Sequence, residues 1–350
     1  MSKSKGDSFE PYGWIKDWEP VWDIIHPDTP LPEEPIIPTM DKKVVIEAAV
    51  TGWMLPQLWW DRGVPHLPPG SHGGDTCIDE QVDAIVECVR AGASCIHLHP
   101  RHPSDGHARL HDVELFAEIV DRALEQEDFI TTSHAFTWDF RKAAAVDFIT
   151  GAAEFLERGT GNRYLQACLM PMVPTYTENH YLITDKAMVE GTRFLEEKGI
   201  RILFSLQAQY LSQWKRALLD TGVARSKPHM ISLMLGKHSM DMQFDDPWSY
   251  LNVINSMSLV NSAIPDEEVF IGLQPGGRNW LPVTVMALLY GAQYVRVGIE
   301  DIYWVWPHKD EIFQTVTQST KMIADLCGIL GREVATVDEA RKIMAIKRTS

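Results

Sequence analysis

The chain has 350 residues, 45% hydrophobic and 23% charged, with a formal net charge of −16. That is ordinary composition for a globular protein with a large core, and a surface of this sign excludes nucleic acid or an anionic membrane as a natural partner, because neither gains from repulsion. Five cysteines without CxxC spacing, an opening MSKSKGDSFEPYGW without an apolar signal core, and no run near about 18 apolar residues point to a reduced cytoplasmic protein without a membrane span.

Residues 1–40 stand apart as an N-terminal arm. The run Pro27-Asp28-Thr29-Pro30-Leu31-Pro32 cannot sustain a helix. Trp14, Trp18 and Trp22, spaced by four, share one face of a short helix, and such apolar bulk is expected to dock on the body of the protein or on a second subunit. From residue 41 onward, short apolar runs alternate with amphipathic ones. Strands are expected at Val44–Val50, Ser94–Leu98, Phe129–Thr132, Tyr164–Met170, Arg201–Leu206, His229–Leu235, Glu268–Leu273 and Gln293–Val297. Helices are expected at Asp79–Ala91, Val113–Gln126, Ala143–Glu157, Asp185–Lys198, Gln209–Asp220, Pro247–Met257, Pro282–Tyr290 and Lys309–Leu330. This βα alternation is that of a (β/α)₈ TIM barrel over residues 41–350. The competing doubly wound sheet normally carries a glycine-rich first turn, which Thr51-Gly52-Trp53-Met54 is not.

A barrel places its chemistry at the C-terminal ends of its strands, which shortens the search. There stand Thr51 after the first strand, His97 and His99 at the second, Ser133 and His134 after the third, and Arg296, Glu300 and Asp301 at the eighth. In His97-Leu98-His99 the two imidazoles point to the same face of a strand and can address one ion, whereas an HxH pair arising by chance would be core or surface histidine. Neutral imidazole suits zinc, and one carboxylate completes three protein ligands with a position left open. Two adjacent carboxylates near a buried strand end need a balancing cation. Glu300 as third ligand, with Asp301 and Arg296 as an orienting or proton-transferring pair, meets that need, while a solvated loop is the plainer alternative. Gly276-Gly277-Arg278 is either an anion-holding turn or a plain tight turn.

Several separated stretches resemble the β-keto acid cleavage enzyme family. They are Val44-Val45-Ile46-Glu47-Ala48-Ala49-Val50-Thr51-Gly52, His97-Leu98-His99-Pro100-Arg101 with Asp105-Gly106, Gly277-Arg278-Asn279-Trp280 with Pro282, Arg296-Val297-Gly298-Ile299-Glu300-Asp301, and Gly331-Arg332-Glu333-Val334-Ala335-Thr336. The similarity runs from about residue 43 to the end. It implies a homo-oligomeric (β/α)₈ barrel with a zinc ion on His97, His99 and Glu300. The implied reaction is a retro-Claisen exchange in which a β-keto acid and acetyl-CoA give acetoacetate and a new acyl-CoA. In it Asp301 steered by Arg296 is the acid–base pair, Ser133 binds the substrate carboxylate, and Thr51 and Arg278 line the substrate side. The chain departs from the family in the turn Ser133-His134-Ala135-Phe136, in Met54 after the first strand, and in Ser205 and Gln207 where an acidic residue would greet an amine. Two other classes stay open: a zinc hydrolase or CoA-independent carbon–carbon lyase, and a non-catalytic ligand-binding barrel.

Overall fold

The computed structural model describes residues 40–52, 57–109, 112–133, 137–139, 145–159, 162–171, 175–176, 181–182, 184–235, 252–265 and 268–347. The N-terminal arm with its tryptophans, and His134, lie outside the described residues. The body, Thr39–Ser350, is one compact unit.

Eight strands close on themselves: β1 (Val45–Ala49), β2 (Cys95–His97), β3 (Ile130–Ser133), β4 (Ala167–Pro171), β5 (Arg201–Leu206), β6 (His229–Leu235), β7 (Val269–Pro275) and β8 (Tyr294–Val297). All neighbours run parallel, and β1 closes the barrel between β8 and β2, pairing Glu47 with Arg296 and Ala49 with His97. The outer helices are α1 (Cys77–Arg90), α2 (Val113–Leu124), α3 (Phe148–Arg158), α4 (Asp185–Glu197), α5 (Leu211–Trp214), α6 (Val253–Ala263), α7 (Trp280–Leu289) and α8 (Val316–Ile329), and α9 (Val337–Ile343) follows. This is the (β/α)₈ barrel expected from the alternation.

Strand alternation divides the apolar side chains into two cores. One lies between strands and helices. The other is inside the barrel, where Val45, Cys95, Ile130, Leu169, Leu203, Met230, Phe270 and Tyr294 meet Ala340, Met344 and Ile346 from α9 and its end. The tail is thus a plug at the N-terminal end of the barrel. It is stitched there by hydrogen bonds from Ser94 Oγ to the Ala335 carbonyl (2.7 Å) and from Arg201 Nε to the Met344 carbonyl (2.8 Å). Two residues further along, six of the eight strands turn polar inside: Glu47, His97, Thr132, Ser205, Ser232 and Arg296 are all buried. A polar layer above an apolar one marks the C-terminal end as the working end.

Some boundaries differ from the sequence expectation. Ala145–Asp147 are taken into a small four-stranded sheet with Thr137–Asp139, Thr175–Tyr176 and Tyr181–Leu182, so α3 starts at Phe148 rather than at Ala143. Lys309–Gln314 are not helical. Ile312 bridges to Trp304, and α8 starts after Thr315, whose hydroxyl accepts from the Gln318 amide in a capping box. No helix among the described residues is long and apolar enough to cross a membrane.

Candidate metal centre

β2 ends on His97, and the chain continues so that His97 and His99 both present Nε2 to the same point, 2.9 Å apart. The Glu300 carboxylate reaches that point from the opposite side, its Oε2 lying 3.5 Å from His97 Nε2 and 3.4 Å from His99 Nε2. All three are buried, and among the described residues they form the one cluster with donor atoms close enough to share an ion. Two nitrogens bound to zinc at about 2.0–2.1 Å in a tetrahedral arrangement stand about 3.3 Å apart, so these separations fit a single shared ion. Protonation fits too. His97 Nδ1 lies 2.9 Å from the Thr132 carbonyl, which can only accept. Nδ1 therefore carries the proton of the neutral ring, and Nε2 is left as a bare lone pair aimed at the centre.

Local backbone features bring these side chains together. The Thr51 hydroxyl donates to the His99 carbonyl (2.7 Å) and accepts from the His99 amide (3.1 Å), clamping the second histidine onto the end of β1. Gly52 leaves room for Glu300, since a Cβ there would lie 3.0 Å from Glu300 Cγ. Beyond β8 the chain folds back at Gly298, whose carbonyl accepts from the Asp301 and Ile302 amides (both 3.1 Å). The turn returns Glu300 and Asp301 over Arg296.

Arg296 is the electrostatic hub. Its Nη2 is 2.6 Å from Glu300 Oε2, its Nε donates to Asp301 Oδ2 at 2.7 Å, and its Nη1 faces Glu47 Oε1 at 3.6 Å. Burial pulls the Arg296 pKa down, but Asp301, Glu300 and Glu47 together more than offset that and hold it above the ordinary value. Burial also raises the Glu47 carboxyl, against the pull of Arg296 and the Thr132 hydroxyl, which donates to Glu47 Oε2. Arg101, fully buried, donates to the Gly52 (2.5 Å) and Gly106 (2.9 Å) carbonyls, and desolvation pushes its pKa down to about 10. Three buried carboxylates, Glu47, Glu300 and Asp301, thus outnumber the two guanidiniums of Arg296 and Arg101. A divalent cation would turn that excess negative charge into a positive one suited to an anionic ligand.

The structure brings His97, His99, Glu300, Arg296 and Asp301 together, and sets Thr51 behind His99. Ser133 ends β3 beside Cys168 of β4, while its side chain lies outside the described residues. Arg278 stands on the same face of the barrel but is held by Asp310 Oδ1 (2.5 Å), the Lys309 carbonyl (2.9 Å) and the Trp304 ring (4.5 Å). Neither Thr132 nor Arg101 carries a site role from the sequence alone, because the partners of each, the His97 ring and Glu47 for Thr132 and the Gly52 and Gly106 carbonyls for Arg101, are set by the fold.

A (β/α)₈ barrel with a His₂-carboxylate centre at its C-terminal end defines the class. The family model of the β-keto acid cleavage enzymes matches residues 43–346, and this chain belongs to that family. A 3,5-dioxohexanoate:acetyl-CoA acetone transferase of Paraburkholderia graminis is 23% identical over 337 residues, covering 87% of this chain and 96% of that protein. A 3-keto-5-aminohexanoate cleavage enzyme of Fusobacterium nucleatum subsp. nucleatum is 22% identical over 316 residues, covering 88% and 100% respectively. Among solved structures, apo ObcA shares the fold with a TM-score of 0.60 at 14% identity over 81% of this chain, which spans 66% of that chain.

Proposed function

We propose that this protein is a zinc-dependent β-keto acid cleavage enzyme, a cytoplasmic homo-oligomer that exchanges acyl groups between a β-keto acid and acetyl-CoA. The observation that carries the reading is the convergence of His97, His99 and Glu300 on one point with the Arg296–Asp301 pair alongside. The bond between the keto carbon and the CH₂ of the β-keto acid breaks, and that CH₂ joins the acetyl carbon of acetyl-CoA. The acyl fragment leaves as its CoA thioester and acetoacetate is the second product, so every atom is accounted for without an oxidant or reductant. The names of the two relatives, one an acetyl-CoA-dependent transferase and the other a keto acid cleavage enzyme, support this direction.

His97, His99 and Glu300 would hold the ion, which when bound supplies a Lewis acid for the keto oxygen. Asp301 is the proton-transferring group: it is fully buried, with one oxygen fixed by Arg296 Nε. Arg296 keeps that carboxylate oriented and limits its freedom to swing. Ser133 is assigned to the substrate carboxylate, and Thr51 and Arg278 to the substrate side. Ser205, Ser232 and Gln274 give the buried upper barrel neutral hydrogen-bonding groups, with Gln274 Nε2 donating to Ser205 Oγ at 2.9 Å. That lining favours a neutral polar or apolar acyl chain over an ammonium-bearing one.

Incubating the purified protein with acetyl-CoA and a panel of β-keto acids tests the reading. Acetoacetate and a matching acyl-CoA are expected from at least one of them. Asp301→Asn should keep the metal and lose turnover by about 100-fold or more, whereas Glu300→Gln should lose most of the metal. Products formed without acetyl-CoA would point to the lyase or hydrolase instead, and an intact metal with no products at all would count against cleavage.

A further inference from the structure

Glu47 is the middle inward residue of β1 and is completely buried. An ionisable group there is costly, on the order of several kcal/mol for an ion even after relaxation, and a threonine or valine would fill the space without it. Its two oxygens serve the two halves of the site. Oε2 accepts from the Thr132 hydroxyl, and the carbonyl of the same Thr132 fixes the His97 ring through Nδ1. Oε1 faces Arg296 Nη1 at 3.6 Å, and the other two edges of that guanidinium hold Glu300 and Asp301. The register of β1, with Glu47 opposite Arg296 and Ala49 opposite His97, places this residue where both halves can be reached.

We propose that Glu47 is a positioning residue: it anchors Arg296 on the side away from Asp301 and Glu300, and through Thr132 it steadies the β3 carbonyl that fixes the His97 ring. A guanidinium with carboxylates on all three edges, two at 2.6 and 2.7 Å and the third at an ion-pair distance of 3.6 Å, is drawn from every side and resists turning in its plane. Held on two, it can slide toward the acids and carry Asp301 out of line. Glu47 touches neither the ligand point nor the reacting atoms, so its loss is felt as misplacement. The inference rests on the cleavage reading for its kinetic part only.

The test compares Glu47→Gln and Glu47→Ala with the unsubstituted enzyme, using zinc and the keto acid and acetyl-CoA pair that the enzyme turns over. Glutamine still accepts from Thr132 but loses the ion pair, and alanine loses both. For Glu47→Ala, kcat should fall about 100-fold, the effect of a misplacement near 1 Å, with KM for both substrates within about threefold. Glu47→Gln should recover roughly a tenth of the lost rate. Independently of activity, zinc retention against a competing chelator should weaken about tenfold in Glu47→Ala, as expected when support behind a ligand histidine is removed. If the alanine variant does not fold, the glutamine variant decides: wild-type kcat would overturn the inference, and a reduced kcat at unchanged KM would support it. Full kcat and full zinc retention in a folded Glu47→Ala would likewise overturn it while leaving the cleavage reading intact. An unsubstituted enzyme that turns over none of the keto acids sinks the cleavage reading instead, and zinc retention then decides the role of Glu47.

Discussion

Gly298 shows how much of the site depends on one backbone position. Its φ is +144°, a region that side-chain-bearing residues rarely adopt, and an added Cβ would sit 2.8 Å from the Ala49 carbonyl carbon and closer still to its oxygen. The turn it makes is the one that returns Glu300 and Asp301 over Arg296. Gly298→Ala should therefore cost about 1–3 kcal/mol in a urea melt and release metal more readily, because Glu300 moves with the backbone. A variant with native stability and full metal content would show that the turn tolerates a side chain. The residues of the centre were legible because strand-end placement and the HxH spacing need only local sequence. The residues behind them were not. Thr132 and Glu47 meet across 85 positions of chain, and nothing in either stretch alone reveals that pairing. The partners of Glu47 come from closure of the barrel, which sets β1 beside β8.

Among the elements, α9 was absent from the sequence expectation although its signals are local. Thr336 caps it, its hydroxyl accepting from the Glu339 amide while the Glu339 carboxylate accepts from the Thr336 amide at 3.0 Å. Seven residues are too few to stand out as a periodic apolar stripe, and only their docking at the foot of the barrel makes them a helix. Arg341 adds a bidentate contact with Asp128, at 2.7 and 2.6 Å, that ties the plug to the start of β3. Thr336→Ala should cost about 1 kcal/mol, read as a lower urea midpoint at neutral pH. An unchanged midpoint would mean that the docked face alone holds the helix. The Lys43 ammonium, together with the Thr336 amide, holds the Glu339 carboxyl at about 2 against an ordinary 4.5. A carboxyl depressed in the folded state contributes stability that is full above its unfolded value and fades as pH falls from about 4.5 toward 2. Being exposed, the pair is screened by salt. Glu339→Gln should therefore flatten the acid limb of stability slightly in that window, and less at high salt. The barrel strands, by contrast, were legible as continuous apolar runs, since a parallel strand buried on both faces carries no other pattern.

For the molecule as a whole, the distribution of charge argues for self-association. The chain carries −16 overall, yet residues 252–264 and 279–291, which contain α6 and α7, hold no charged residue. Outer barrel helices ordinarily show a charged face to water, and a helix apolar nearly all round, as α7 is, is one that is covered. Leu259 (51% exposed), Leu289 (43%), Ile254 and Tyr290 lie uncovered on these two helices, which are joined by a hydrogen bond between Ser258 and Tyr290 at 2.7 Å. Ile329 at the end of α8 is 81% exposed, and Arg332 just beyond it donates to the Leu288 and Ala292 carbonyls, tying that end to the foot of α7. Two copies of an acidic protein repel each other over most of their surface and can approach only where that charge is missing. A second copy related by a two-fold axis would set this neutral face against itself and remove its apolar side chains from water. Light scattering should accordingly give a dimer or a larger closed assembly at micromolar concentration. Leu259→Glu combined with Leu289→Glu should give monomers with an unchanged circular dichroism spectrum, because unpaired carboxylates buried at the contact would each cost a few kcal/mol. A wild-type monomer, or a charged double variant that assembles as before, would show that this face is not where the copies meet.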